Sequence, residues 1–221
     1  MEKIKILKMT FSIFILLAVG IIFAEGKTEK CNKKIDLALV LDTSASIGED
    51  NLNLAKDFAK ALSRRFTISK DNARVTIVAY SQYINILSRF NDDEDEVTLE
   101  NILSNISYEG SSTGTAKTMT VVNFELFSTK SGSRIGRSDV RKVAVFVTDG
   151  YSNIGVEVVK VKADRMKKRG IEMFAIGVTK RMNEDELSVL SSKPVKNHLF
   201  RLTDFKAVKE IIDHIVKEVC K

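Results

Sequence analysis

Residues 35–42, IDLALVLD, set the first constraint on the fold. Ile35 to Leu41 is an apolar run interrupted only by Asp36 and rich in branched side chains, which fits a strand covered on both faces. Comparable runs return at 73–80 (ARVTIVAY), 84–90 (INILSRF), 141–148 (RKVAVFVT), 171–178 (IEMFAIGV) and, more briefly, 198–202 (HLFRL). Between them apolar residues recur at intervals of three and four: Leu52, Ala55, Ala59, Leu62 and Phe66; then Leu99, Ile102, Leu103 and Ile106; then Ala116, Met119, Val122 and Leu126; then Val159, Ala163 and Met166. A short helix is predicted over 183–191, with Glu184, Asp185 and Glu186 at its start as the helix dipole favours. A final helix, capped by Thr203 or Asp204, turns Phe205, Val208, Ile212, Ile215 and Val219 inward. The alternation predicts an α/β fold, a doubly wound, mostly parallel central sheet with helices on both faces. The link Ser81–Tyr83 is too short to join parallel neighbours, so one antiparallel edge strand is expected.

A chain of 221 residues, 44% hydrophobic, has material for one substantial core and one domain. The first 24 residues read as a secretory signal. Lys3, Lys5 and Lys8 precede the apolar stretch FSIFILLAVGIIFA, which is shorter than the ~20 residues a membrane-spanning helix needs. The mature chain is therefore expected to be secreted and not membrane-spanning. Removing that segment takes three Lys and one Glu from the 35 basic and 29 acidic residues, leaving a net charge of +4. So mild a bias gives no reason to expect nucleic acid as a partner. Cys31 and Cys220 flank the domain, an even count that suggests a bridge tying its ends; two free or intermolecular thiols are the alternative. Asn105-Ile106-Ser107 is a glycosylation acceptor, usable where Asn105 faces solvent. Residues 91–96, NDDEDE, and 128–139 read as polar surface loops.

Three segments carry hydroxyls and carboxylates where strands end or loops begin: Asp42-Thr43-Ser44-Ala45-Ser46, Ser111-Ser112-Thr113-Gly114-Thr115 and Thr148-Asp149-Gly150. Asp, Ser and Gly after a strand are also ordinary turn and helix-cap residues. In a doubly wound sheet, however, strand ends converge at the topological switch point, where ligands bind. Two carboxylates and three hydroxyls form a hard oxygen set suited to Mg²⁺, Mn²⁺ or Ca²⁺.

In this order and on this pattern of strands and helices, the three segments resemble the metal-ion-dependent adhesion site of the von Willebrand factor type A domain, also called the integrin I-like domain. Asp42, Ser44 and Ser46 match its Asp-x-Ser-x-Ser, Thr113 its distant Thr (with Thr115 as the rival alignment), and Asp149 the Asp of Thr-Asp-Gly. The resemblance runs over residues 33–219, which it implies are one such domain, and the flanking cysteines are similar to those of extracellular matrix members such as matrilins. The resemblance implies that Ser44 and Ser46 bind a divalent cation directly, Thr113 directly or through water, and Asp42 and Asp149 mostly through water. It also implies that an extracellular protein ligand supplies a Glu or Asp to the cation, with no catalysis.

Other functions are less well supported. Serine hydrolysis needs a base beside the nucleophile, and the two histidines, His198 and His214, come with no nucleophile elbow. No phosphate-binding loop is present, and a metal-dependent hydrolase built on Asp42 lacks an evident general base. The helix 156–169 with Arg134, Arg137, Arg141 and Lys142 offers a basic face suited to a sulfated glycosaminoglycan; the same charges also read as a solvated surface balanced by Glu157 and Asp164.

Overall fold

The computed structural model describes residues 29–202 and 205–221, without the side chains at 205 and 206. The expected signal segment, the cap at 203 or 204 and the inward turn of Phe205 lie outside what is described. The strands are β1 (Ile35–Asp42), β2 (Ala73–Tyr80), β3 (Ile84–Ser88), β4 (Arg141–Thr148), β5 (Ile171–Gly177) and β6 (Leu199–Arg201). The helices are α1 (Glu49–Ser63), α2 (Glu96–Ser104), α3 (Thr115–Val121), α4 (Val156–Lys168), α5 (Glu184–Leu190) and α6 (Phe205–Val219). One six-stranded sheet runs β3-β2-β1-β4-β5-β6, with β3 antiparallel to β2 and every other pair parallel. This is the doubly wound architecture the alternation implied. The order reverses between β1 and β4, so the switch point lies where Asp42 and Thr148 end adjacent strands.

Two apolar layers cover the sheet, sorted by the two-residue period of the strands. Ile35, Leu37, Leu39 and Leu41 of β1 face α1, α2 and α6 through Phe58, Leu62, Leu103, Ile212 and Ile215. Ala38 and Val40 face the other layer, built on Met119 of α3, Val159, Ala163 and Met166 of α4, and Leu187 of α5. Complete burial of β1 explains its lack of polar alternation. Helix α3 runs into a π-helical turn at Val122–Leu126, which keeps Val122 and Leu126 buried in phase with Met119. Helix α1 stops at Ser63, short of the predicted period, and Phe66 is buried instead beside Cys31, with which it forms a parallel bridge. Cys31 and Cys220 are disulfide-bonded.

The expectation that 128–139 is a surface loop fails in its middle. Ser131, Ser133 and Arg134 are buried. The Arg134 guanidinium donates to Asp36 Oδ1 at 2.8 Å and to the carbonyls of Ile35 (2.9 Å), Asn72 (2.7 Å) and Asp71 (3.1 Å). Ser133 Oγ donates to Asp36 Oδ2 at 3.0 Å, and the Arg134 amide also donates to that oxygen. Asp36, the polar break in the first run, is thus the anchor of this loop. The physical reason is that a wholly buried carboxylate needs a cation and donors, and the loop brings both.

Candidate metal centre at the sheet switch point

Asp42 is the last residue of β1 and wholly buried. Its Oδ1 accepts the Ser44 amide at 2.9 Å and its Oδ2 accepts the Thr148 hydroxyl at 2.7 Å. Helix α1 is preceded by Gly48 and has no side-chain cap, so Asp42, Ser44 and Ser46 are not spent as helix caps. The Asp42 carboxylate fixes a tight turn instead. That turn buries Ser44 and leaves Ser46 exposed, with the two hydroxyl oxygens 3.4 Å apart.

Asp149 follows β4 and is also buried, its Oδ1 accepting the Tyr151 amide at 3.1 Å. Gly150 has φ 78°, and a Cβ there would stand 2.8 Å from the Asn183 carbonyl, so the Asp149 loop lies too close to the start of α5 for any side chain at 150. Asn183 donates its amide to the Asp149 carbonyl at 2.9 Å and caps α5 with its side chain.

The Thr113 loop is held by backbone. Ala45 donates to Ser111 O at 2.9 Å, Gly114 to Ser81 O at 2.8 Å, Gly110 to Thr43 O at 3.1 Å, and Asn153 to Thr113 O at 3.1 Å. These bonds join all three hydroxyl-bearing segments at one end of the sheet. Thr113 keeps a small exposure of 6%, whereas Thr115, at the start of α3, is wholly buried with an unpartnered hydroxyl. The solvent-side threonine is therefore Thr113.

The electrostatics of this end are unusual. Among the described residues no Lys or Arg forms an ion pair with Asp42 or Asp149, and burial, with a smaller push from Asp149, raises the Asp42 carboxyl to about 6. Glu186 was expected only as a helix-start acid. It is 1% exposed, its Oε2 accepts Ser152 Oγ at 2.7 Å and the Ser152 amide at 3.3 Å, and its Oε1 has no partner. Burial first, and the nearby charges of Asp149 and Asp42 after it, raise Glu186 to about 7. Sequence gave no signal for this third acid, because acids at a helix start are usually solvated.

No group of three or more His, Cys, Asp or Glu among the described residues is placed to hold a metal. A cation at the switch point must rely on hydroxyl as well as carboxylate oxygen, which is the chemistry of a hard ion. The donor set fits such an ion: two buried acids without a cationic partner among the described residues, and hydroxyls beside them.

The basic face is thinner than its sequence suggested. Arg134 is withdrawn into the fold by Asp36, so it cannot meet a sulfate. Lys167 donates to Val189 O, and burial lowers its ammonium to about 8; Arg169 donates to Phe127 O at 2.8 Å and to Asn123. Lys160 pairs with Asp164 at 2.9 Å. His198 is buried between Pro194 O and Glu172 Oε1, each at 3.0 Å, which suits a structural role. Asn105 is exposed at the end of α2. Among the described residues no helix is long and apolar enough to cross a membrane.

Comparison with known proteins bears on the fold and the family. Bovine (Bos taurus) matrilin-1 is 32% identical over 208 residues, covering 89% of this chain and 36% of its own length. Collagen alpha-1(XII) chain of Notophthalmus viridescens is 26% identical, covering 84% of this chain and 19% of its own. The chain thus spans well under half the length of these relatives. Among solved structures, proximal thread matrix protein 1 from the mussel byssus superposes with a TM-score of 0.75 at 23% identity, over 87% of this chain and 49% of that one. Another structure of that protein, described as having a zinc-occupied MIDAS motif, gives 0.73 at 24% identity over 85% and 49%. The family model for the von Willebrand factor type A domain matches residues 36–214, and the chain belongs to that family.

Proposed function

We propose that this chain is an extracellular adhesion module that engages an acidic residue of a protein ligand through a divalent cation. The observation that carries the reading is a pair of buried carboxylates, Asp42 and Asp149, that no Lys or Arg among the described residues pairs with, beside the hydroxyls of Ser44, Ser46 and Thr113. Ser44, Ser46 and Thr113 would hold the ion, with Asp42 and Asp149 contributing charge around it. When bound, a hard divalent ion offers an oxygen-seeking position that a ligand carboxylate can fill. The chain's own residues supply the rest. Thr148 and the Ser44 amide orient Asp42, and the stapled Thr113 loop fixes the rim. We assign the chain no catalytic role and regard Mg²⁺, Mn²⁺ or Ca²⁺ as the ion, with zinc included for test because a relative of the fold is described with it. A secretory signal at 1–24 and glycosylation of the exposed Asn105 accord with an extracellular site of action.

The test is retention of an extracellular matrix protein fraction on the immobilised domain, with Mg²⁺ and with EDTA, for wild type, Asp42→Ala and Asp149→Ala. Retention lost with EDTA and in both variants, while the far-UV spectrum is kept, is the expected result. Retention indifferent to EDTA but falling steeply with salt would overturn it in favour of the basic surface.

A further inference from the structure

We propose that Glu186 is a third carboxylate of the metal centre, acting from beneath it as a positioning residue that raises cation affinity without touching the ion. The inference rests on the reading above that a cation binds at Asp42 and Asp149. Two observations carry it. First, Glu186 ties down the Asp149 loop. Its Oε2 accepts both the amide and the hydroxyl of Ser152, three residues past Asp149, while Asn183 on the same helix start donates to the Asp149 carbonyl. The close approach at Gly150 leaves this loop no room to withdraw toward α5. Second, the other oxygen of Glu186 is buried and unpartnered, and so are the hydroxyls of Tyr80 and Thr115. Tyr80 lies within electrostatic reach of Asp42 and Glu186 and close to the hydroxyls of Thr115 and Thr148. The Glu186 oxygen itself and the hydroxyls of Tyr80 and Thr115 are thus three buried polar atoms without a hydrogen-bond partner, a costly arrangement in a core.

Burying a third negative charge beside two others is unfavourable in the cation-free fold and becomes favourable once a double positive charge arrives. Groups that orient ligands without binding the metal commonly change metal affinity 10- to 100-fold when altered. Glu186 has both means: charge, and the bonds to Ser152.

The experiment is calorimetric titration of Mn²⁺ and Mg²⁺ into wild type, Glu186→Gln, Glu186→Asp and Ser152→Ala at pH 8, with urea unfolding in EDTA for each. Glu186→Gln keeps the shape and removes the charge, so its Mn²⁺ affinity is expected to fall at least about tenfold while its folding in EDTA is retained. Glu186→Asp keeps the charge and is expected to recover most of that loss; Ser152→Ala is expected to fall between. Wild-type affinity in Glu186→Gln, or an equal loss in Glu186→Asp, would overturn the proposal and leave the metal centre standing. Absence of any Mn²⁺ binding by the wild type would overturn both.

Discussion

The two ends of β1 carry the same side chain in opposite circumstances. Asp36 and Asp42 point from the same face of one buried strand, and both are wholly buried. At the first, the fold brings in Arg134, Ser133 and an amide, and every oxygen is met. At the second, an amide and a hydroxyl orient the carboxylate, and no Lys or Arg among the described residues pairs with it. The disulfide Cys31–Cys220 also lies near the Asp36 end, since Cys31 bridges to Phe66 just ahead of β1. One end is closed by covalent and ionic links for stability. The other bears a charge deficit that suits a cation from outside. A buried acid therefore speaks of function only when the fold withholds its partner.

The contrast can be broken most severely at the closed end. Replacing Cys31 and Cys220 by Ser removes a cross-link spanning 189 residues and is expected to cost up to about 5 kcal/mol of unfolding free energy, read as a lower urea midpoint. Arg134→Ala leaves Asp36 buried and unpaired, and is expected to cost about 3–5 kcal/mol in the same assay. Asp42→Asn at the open end, measured in EDTA, should cost nothing and raise the midpoint slightly, because it removes a buried charge that has no counter-ion. If Asp42→Asn proved as damaging as Arg134→Ala, the distinction between the ends would fail.

Cation addition sharpens the contrast from the other side. Mg²⁺ at a hundredfold excess over its dissociation constant should raise wild-type stability by about 2.7 kcal/mol, and leave Asp42→Asn unmoved. The pH dependence has a definite sign. Glu186 is raised from 4.5 to about 7 and Asp42 from 3.8 to about 6, so the folded, cation-free state holds these protons more tightly than the unfolded one. Their contribution is fully present below about 4 and lost as pH rises through 6 and 7. Unfolding midpoints in EDTA should therefore fall over that interval, and Glu186→Gln should make the fall shallower. Smallest of all, Thr115→Val should raise stability by about 1 kcal/mol because it removes a buried hydroxyl that has no partner, whereas Thr113→Ala should weaken Mg²⁺ binding measured by calorimetry.

Much of this molecule was legible before any coordinates. The runs at 35–42, 73–80 and 141–148 coincide with β1, β2 and β4, and the three-residue link correctly demanded an antiparallel edge. Inward faces such as Val159, Ala163 and Met166 follow from helical spacing alone. The strand-end segments of Asp42 and Asp149 were visible for the same reason, since residue type and position after a buried run are both local properties. Arg134 misled because a basic residue in a polar loop looks solvated until its partner is found. Glu186 misled in the same way at a helix start.

Local pattern thus determined the strands, the helices, the layers and the oxygen-bearing segments, because periodicity and turn chemistry act over a few residues. Only the tertiary structure decided which acids are answered from within. Arg134 reaches Asp36 across 98 positions, and Ser152 reaches Glu186 across 34. Whether a buried charge finds a partner depends on which distant segment packs over it, and nothing in the neighbouring residues encodes that.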